Sequence, residues 1–151
     1  MLTIWNYLAV LGLSALPVIE LKGAIPMGLY WGIPQVQCFI IAVIGSMLFS
    51  PGIILLTRRV LNAMMNSKVE IFKRFGHWQH ARLLRKGGKI EKYRAWFLFI
   101  FVAIPLPTTG VWTGSMIAGL FEIPMKIALP LIFLGNCVAG ALVWMIWGFA
   151  T

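Results

Sequence analysis

The stretch PVIELKGAIPMG, residues 17–28, interrupts a long apolar run with a carboxylate, an ammonium, two prolines and two glycines. Its charged residues are Glu20 and Lys22. A charged side chain at the centre of a bilayer costs about 2.5–3.5 kcal/mol. Proline and glycine also break helices, and hydrocarbon cannot satisfy the backbone groups that are freed. We therefore predict that this stretch is a functional site that lines a cavity enclosed by protein.

Composition places the chain among integral membrane proteins. Hydrophobic residues make up 60% of its 151 residues, charged residues 11%, and the mean hydropathy is +0.89. Soluble domains carry roughly 25% charged residues. The length allows a single membrane domain, residues 1–151. The sequence contains no Walker loop, nucleophile elbow or HExxH motif, and its two cysteines lack metal-binding spacing, so we predict no enzymatic activity, no cofactor and no metal site.

The positive charge is concentrated in one segment. Eleven of the thirteen lysines and arginines lie within residues 57–94, together with two of the four acids, so this segment carries the whole net charge of +9. Cytoplasmic loops of membrane proteins are enriched in Lys and Arg. We therefore predict that residues 57–94 face the cytoplasm, that the chain resides in the cytoplasmic (plasma) membrane, and that its charge does not serve nucleic-acid binding.

Within the basic segment, apolar residues recur at roughly helical spacing. They are Val60, Leu61, Met64, Met65, Val69, Phe72, Phe75 and Trp78. The pattern is typical of an amphipathic helix that lies on a membrane surface. We predict that residues 57–94 bind anionic lipids of the cytoplasmic leaflet, and that Gly87 and Gly88 end the helix.

The apolar parts of the chain are interrupted twice by the same pattern of proline and small residues, at a fixed offset of 90 residues. In each half a short apolar run is followed by a stretch that contains proline and then by a run long enough to cross a bilayer. The matched positions are Leu16-Pro17 with Leu106-Pro107, Ile33-Pro34 with Ile123-Pro124, and Gly45-Ser46 with Gly135-Asn136. We interpret residues 1–56 and 95–151 as an internal repeat; the alternative is chance similarity between apolar segments.

Two membrane topologies fit such a repeat. If the short runs form re-entrant hairpins, each half crosses once and the halves are inverted about an axis in the membrane plane. If all four runs cross, both termini are cytoplasmic and the repeats are parallel. The short first runs favour hairpins, since non-helical backbone at membrane depth is tolerated inside protein and inverted repeats recur among transporters. The predicted fold is an all-α polytopic membrane protein with two inverted repeats, each a re-entrant helical hairpin plus a transmembrane helix.

Glu20 is the main candidate for chemistry. Burial in a low-dielectric site raises the pKa of a carboxyl group, which can then load and release a proton near neutral pH. The alternative is a structural role, in a salt bridge to Lys22 or in contact with backbone amides. Residues two apart do not face each other on a helix, so such a pair requires local unwinding. Lys22 either holds an anionic group or extends toward headgroups. Gly23 and Pro26 complete this half of the site.

The matching stretch of the second half supplies hydroxyl groups and an indole. Its candidate residues are Pro107, Thr108, Thr109, Trp112 and Thr113. They either line a polar, aromatic substrate site or satisfy backbone groups freed where the helix is broken. Asn136 matches Ser46 in mid-span, where a polar group is typical of helix packing, and it is a further candidate. We expect the binding site where the hairpin tips meet, with Glu20 on one wall and residues 108–113 on the other.

Two strings carry a resemblance to a known family. PVIELKGAIPMG at residues 17–28 and AIPLPTTGVWTG at residues 103–114 resemble the motifs of the small multi-drug export protein family, a distant relative of the DedA-type membrane proteins. The match covers nearly the whole chain, although the family commonly has Arg at the position of Lys22 and often Gly at or beside Thr109. The resemblance implies a small transporter-like protein with two opposed re-entrant hairpins.

The DedA-type relatives suggest a lipid substrate. They are associated with moving polyprenyl-phosphate lipid carriers, and the acidic residue of their first hairpin corresponds to Glu20. Their second hairpin usually carries an arginine, which this chain lacks after Pro105. That departure weakens the transfer of phosphate recognition to this chain.

Together these features predict proton-coupled transport of an amphipathic, hydrophobic or lipid-like substrate, with Glu20 as the proton site. Because so short a chain encloses little space, we expect it to act as a homodimer in the lipid bilayer. Two alternatives stay open. One is a DedA-like flippase or scramblase for polyprenyl phosphate or phospholipid, and the other is a non-transporting membrane scaffold whose basic segment binds a partner or anionic lipids.

Overall fold

The computed structural model describes residues 3–66, 68–84 and 89–148. Within these ranges every regular element is an α-helix and no β-strand occurs, which confirms the predicted all-α class. The helices are α1 Ile4–Ala15, α2 Glu20–Tyr30, α3 Gln35–Met47, α4 Ser50–Met65, α5 Glu70–Leu84, α6 Lys89–Ala103, α7 Val111–Leu120 and α8 Met125–Gly148.

Two helical segments are long and apolar enough to cross a bilayer. Helices α3 and α4 together form the first, Gln35–Met65, and α8 contributes the second, Met125–Trp147. About 20 helical residues span the roughly 30 Å hydrocarbon core. The first segment is interrupted at residues 48–49, because Pro51 in the first turn of α4 has no N–H to continue the hydrogen bonding of α3. We refer to these two segments as the spans.

The remaining apolar helices are short and pack in antiparallel pairs. Helices α1 and α2 form the first hairpin, in which a Cβ on Gly28 would lie 2.9 Å from Cγ2 of Val10. Helices α6 and α7 form the second hairpin, where Gly114 lies against Val102 in the same manner. The twelve residues of α1 extend only about 18 Å. A helix of that length does not cross a bilayer.

Each hairpin packs against a glycine in the interior of a span. A Cβ on Gly45 of α3 would contact the Oγ of Ser14, near the end of the first hairpin's first arm. Gly135 of α8 lies equally close to the second hairpin, since its Cβ would be 2.9 Å from the carbonyl oxygen of Phe99. Gly45 and Gly135 are 90 residues apart in the chain. Gly45 and Gly135 each lie ten residues after the first residue of their span, which is about 15 Å along the helix.

The turn that joins each hairpin to its span is built identically in the two halves. The hydrogen bonds are Trp31 N to Met27 O (3.0 Å) and Ile33 N to Gly28 O (3.0 Å), and Phe121 N to Ile117 O (2.9 Å) and Ile123 N to Ala118 O (3.0 Å). Gly32, with φ +83°, matches Glu122, with φ +52°. All of these pairs are separated by 90 residues. The repeated interruptions of the apolar runs in the sequence therefore produce the same backbone geometry in both halves.

The second arm of each hairpin also packs against the span of the other half. Gly140 of α8 lies against Leu21 of α2, and Gly119 of α7 lies against Thr57 of α4. These contacts join the two halves. The buried apolar residues form two clusters, one that includes Leu21 and Cys38 and one that includes Leu98 and Ile132.

The basic segment differs from the single amphipathic helix that its spacing predicts. Helix α4 continues through Arg58 to Met65, and α5 lies back against α4, so that Gly76 packs directly on Met65. On α5, Ile71 is 77% exposed, as expected for an amphipathic surface helix. The predicted break at Gly87-Gly88 lies outside the described residues.

Candidate functional site

Glu20 begins α2 in a strained backbone conformation. Its φ is +45°, a region in which a side chain other than glycine costs about 1–3 kcal/mol. The chain is unwound over residues 16–19, and this unwinding lets residues two apart approach each other. The ammonium of Lys22 lies 3.6 Å from Oε2 of Glu20. Glu20 is only 7% exposed, whereas Lys22 is half-buried and keeps some contact with the surface.

The carboxylate of Glu20 lies at the N-terminus of a helix from the other half. The Trp112 N–H donates to Oε1 of Glu20 over 3.1 Å. Gly110 is the N-cap residue of α7 and provides no capping side chain, so the Glu20 carboxylate serves as a cap from outside. A negative charge at this end of a helix is favourable. A Cβ on Gly110 would collide with the same carboxylate, so the close approach requires glycine.

Two further hydrogen bonds brace the hairpin tips against each other. Lys22 donates from Nζ to the carbonyl oxygen of Leu106 in the second tip. Trp112 donates from Nε1 to the carbonyl oxygen of Ala15 in the first tip over 3.0 Å. Lys22 and Trp112 occupy equivalent positions of the repeat. Each therefore extends to the backbone of the opposite tip and satisfies a carbonyl at the end of a broken helix.

The threonines of the second tip bind mainly their own backbone. Thr109 is 6% exposed; its hydroxyl accepts from the Leu106 N–H over 3.2 Å and donates to the carbonyl oxygen of Ile104. The Thr113 hydroxyl donates to the carbonyl oxygen of Thr108 over 2.9 Å. Pro107 and Thr108 are exposed at the end of the tip. These contacts match the alternative in which the hydroxyls satisfy freed backbone groups.

Asn136 belongs to a separate contact between the spans. Its Nδ2 donates to Oγ of Ser46 over 2.6 Å, and both residues are buried. The two residues are equivalent in the repeat. Glu20 and Gly110, which also lie in contact, likewise occupy equivalent positions of the repeat.

The structure brings some of the candidate residues together and leaves others apart. Glu20, Lys22 and Trp112 converge at the junction of the tips, with Thr109 in the same turn. Gly23 lies against Ile19 of its own helix. Pro26 lies inside α2, where its ring leaves the Lys22 carbonyl without the usual helical donor.

Sequence reasoning missed three residues at or near this junction. One is Gly110, whose role depends on a carboxylate 90 residues away. The others are Ser50 and Ser115, whose hydroxyls lie 2.7 Å apart between α4 and α7. Small polar residues on facing helices are a known packing signal in membranes. Two isolated serines in apolar runs do not reveal that they face each other.

Comparison with known proteins agrees with the resemblance seen in the motifs. The family model described as "Putative small multi-drug export protein" matches residues 20–142. The match begins at Glu20, includes the second tip and the basic segment, and covers most of the chain. No curated protein matches the chain, and no solved structure matches it. The chain therefore belongs to the family of small multi-drug export proteins, which with its two apolar spans makes it an integral membrane protein.

Proposed function

We propose that this protein is a proton-coupled transporter that exports an amphipathic, hydrophobic or lipid-like substrate, with Glu20 as the proton site. The observation that carries the proposal is the ion pair of buried Glu20 and half-buried Lys22 at the junction of the two tips. Glu20 and Lys22 lie among apolar helices of a membrane protein, where charges are costly. Ionisable residues inside a membrane mark ion or substrate pathways.

The contacts of Glu20 suggest how protonation is coupled to movement. Its carboxylate holds the first tip to the amide groups that begin α7, and it pairs with Lys22, which holds the other tip. A proton on Glu20 removes the charge that both contacts use. Protonation therefore loosens the junction, and deprotonation closes it again. This is a two-state element of the kind that a coupled carrier requires.

The arrangement of the basic residues supports the inverted topology. Arg58 of α4 donates to the carbonyl oxygen of Ile123, and the guanidinium of Arg94 lies 5.8 Å from the ring centroid of Phe121. The turn at residues 121–124 thus lies at the same end of the molecule as the basic segment. In the topology with four crossings, that turn would face the opposite side of the membrane. We therefore favour two re-entrant hairpins, with residues 57–94 in the cytoplasm.

Cysteine labelling tests this orientation. Tyr30 is 89% exposed and lies beside the first turn, whereas Lys126 is exposed beside the second turn. We expect Tyr30→Cys to react with a membrane-impermeant maleimide in intact cells, and Lys126→Cys to react only after permeabilisation. The parent chain, whose Cys38 is buried and Cys137 half-buried, serves as the control. Labelling of Lys126→Cys from outside would contradict the inverted arrangement.

The exposed apolar residues of the tips and the positive charge of the basic segment suggest binding partners for the protein. The tips present Val18, which is 85% exposed, and Leu106, which is 52% exposed. We propose that a second copy of the chain covers this apolar end in a homodimer. We further propose that the basic segment contacts anionic lipids of the plasma membrane, and that the chain requires neither nucleic acid nor a cofactor.

Reconstitution into liposomes tests the function directly. The purified protein is placed in liposomes that carry an internal pH dye and a fluorescent amphipathic cation. With an imposed pH gradient we expect substrate movement that dissipates the gradient, since the two fluxes are coupled. Movement of labelled phospholipid without a gradient would indicate the flippase or scramblase alternative. The absence of all of these fluxes, from protein shown to be folded and inserted, would indicate the scaffold.

A further inference from the structure

The peptide group that binds Glu20 also accepts a hydrogen bond from a buried serine. Its N–H, that of Trp112, donates to Oε1 of Glu20 over 3.1 Å. Its carbonyl oxygen, that of Val111, accepts from the hydroxyl of Ser115 over 2.6 Å. The Ser115 oxygen in turn lies 2.7 Å from the hydroxyl oxygen of Ser50 in α4. A hydroxyl group has a single proton. Because Ser115 donates its proton to the carbonyl, Ser50 is the donor to Ser115.

These groups therefore form one hydrogen-bonded chain in which every donor is directed toward the carboxylate. It runs from Ser50 through Ser115 and the peptide group of residues 111–112 to Glu20. Ser50, Ser115 and Val111 are all 0% exposed, so water does not compete for these bonds. Aligned hydrogen bonds in a low-dielectric interior polarise one another, and each is strengthened by about 10–30%. The two hydroxyls thus act on the carboxylate without touching it.

The internal repeat shows that helix packing does not require these hydroxyls. Helix α2 packs against α8 as α7 packs against α4, with glycines at the close contacts. At the positions equivalent to Ser50 and Ser115 this second contact has Gly140 and Ile25. The position equivalent to Glu20 is likewise a glycine, Gly110. The hydroxyl pair therefore occurs on the helix whose N-terminus receives the carboxylate, and its counterpart in the other half is apolar.

We propose that Ser50 and Ser115 are positioning residues of the Glu20 site, which orient and polarise the peptide group of residues 111–112 toward the carboxylate. This inference rests on the proposed role of Glu20 as the proton site and deepens it. Hydrogen bonds to a carboxylate favour its charged form, so without the two hydroxyls Glu20 should take up its proton at a higher pH. Protonation in turn weakens each bond of the chain. Because Ser50 is the first residue of α4, the first span senses the proton on Glu20.

The charged group that faces Glu20 is Lys22, on the same helix. Helices α1, α3 and α7 contain no lysine, arginine, aspartate or glutamate. The other titratable groups on the helices around Glu20 are Tyr7 in α1, Cys38 in α3, and Lys126 and Cys137 in α8. Tyr7 donates to Gln37 and Cys38 donates to the carbonyl oxygen of Ile25. The substitutions that test the proposal therefore leave the charges around Glu20 unchanged.

Infrared difference spectroscopy tests the proposal on the purified chain in detergent, without any transport. The band of a protonated carboxyl group that is missing in E20Q belongs to Glu20, and its intensity is followed against pH. In S50A/S115A we expect the midpoint to move to higher pH by about 0.3–0.6 units. The double variant removes donor and acceptor together, so no buried donor is left unpaired and thermal stability should stay close to that of the parent.

The matched control is Ser14→Ala. Ser14 is also 0% exposed, and its hydroxyl donates to the carbonyl oxygen of Leu11 over 2.8 Å, in a peptide group that does not contact Glu20. We expect this variant to titrate as the parent does. An equal shift in Ser14→Ala would show a general effect of lost hydroxyls and would overturn the proposal.

The remaining outcomes separate positioning from packing and from transport. An unchanged midpoint in a stable S50A/S115A would show that the serines only pack α4 on α7, and would overturn the proposal. If the double variant does not fold, Ser50→Ala replaces it. That variant keeps the bond from Ser115 to Val111 and should give a shift about half as large. A shift in protein that carries no coupled flux would support the positioning role and refute transport, so the two failures are distinguishable.

Discussion

Glu20→Gln is expected to fold and insert but to show no proton-coupled flux above that of empty liposomes. The glutamine oxygen can still accept the Trp112 N–H that Oε1 now accepts at 3.1 Å, so the cap of α7 survives. The variant cannot, however, bind and release a proton or alternate between charged and neutral states. The measurement is the liposome flux assay, with the amount of inserted protein determined in parallel.

One complication of this variant is the ammonium that it leaves behind. Removing one partner of a buried ion pair destabilises by about 3–5 kcal/mol, because the other charge stays uncompensated. The double variant E20Q/K22Q removes both charges and is expected to regain stability without regaining coupled flux. E20D keeps the charge and should retain part of the activity. Full activity of Glu20→Gln would exclude Glu20 as the proton site.

Gly110→Ala is expected to abolish most of the coupled flux while both charges of the pair remain in the chain. Its new Cβ would lie 2.6 Å from Cδ and 2.7 Å from Oε1 of Glu20, and it would be closer still to Oε2. The carboxylate must therefore leave the N-terminus of α7. The backbone of Gly110 is extended, with φ 171°, so the substitution acts through this contact and not through backbone strain. Loss of the charge-assisted hydrogen bond should also destabilise the fold by about 1.5–3 kcal/mol.

The matched control for this experiment is Gly52→Ala. Gly52 lies in α4, and a Cβ added there would meet no atom within 4 Å. Alanine favours the helix at such a position, so stability should be unchanged or rise by about 0.4–1 kcal/mol, with normal flux. Thermal unfolding in detergent and the liposome assay check both variants. Normal flux in Gly110→Ala would show that the contact between Glu20 and α7 is not part of the coupling.

The helical class, the family and the positions of the breaks followed from the sequence, since each depends on local composition. The apolar runs of this chain form helices, and α1 and α6 end two residues before Pro17 and Pro105. The offset of 90 residues also predicted which turns are equivalent. It did not predict the shape of the basic segment, because apolar spacing alone does not show that α5 folds back against α4.

The site, like the fold, was predictable from the sequence only in part. Glu20 and Lys22 stand out in the sequence because charges are rare in apolar runs, and the need for local unwinding followed from their spacing. The groups that contact these two residues could not be predicted from the sequence. Gly110, the carbonyl of Leu106 and the Ser50–Ser115 pair lie 65 to 90 residues from the groups they contact, and no local pattern encodes such a meeting.

The sequence by itself thus determined that this is a helical membrane protein of a known family. It also showed two similar halves, of which the first contains a charged, broken stretch and the second an uncharged counterpart. Only the tertiary structure decided that Glu20 caps α7, that Lys22 and Trp112 brace opposite tips, and that Arg58 and Arg94 meet at one turn. The physical reason is that helix formation and breakage depend on neighbouring residues, whereas these contacts depend on how the two halves of the chain pack against each other.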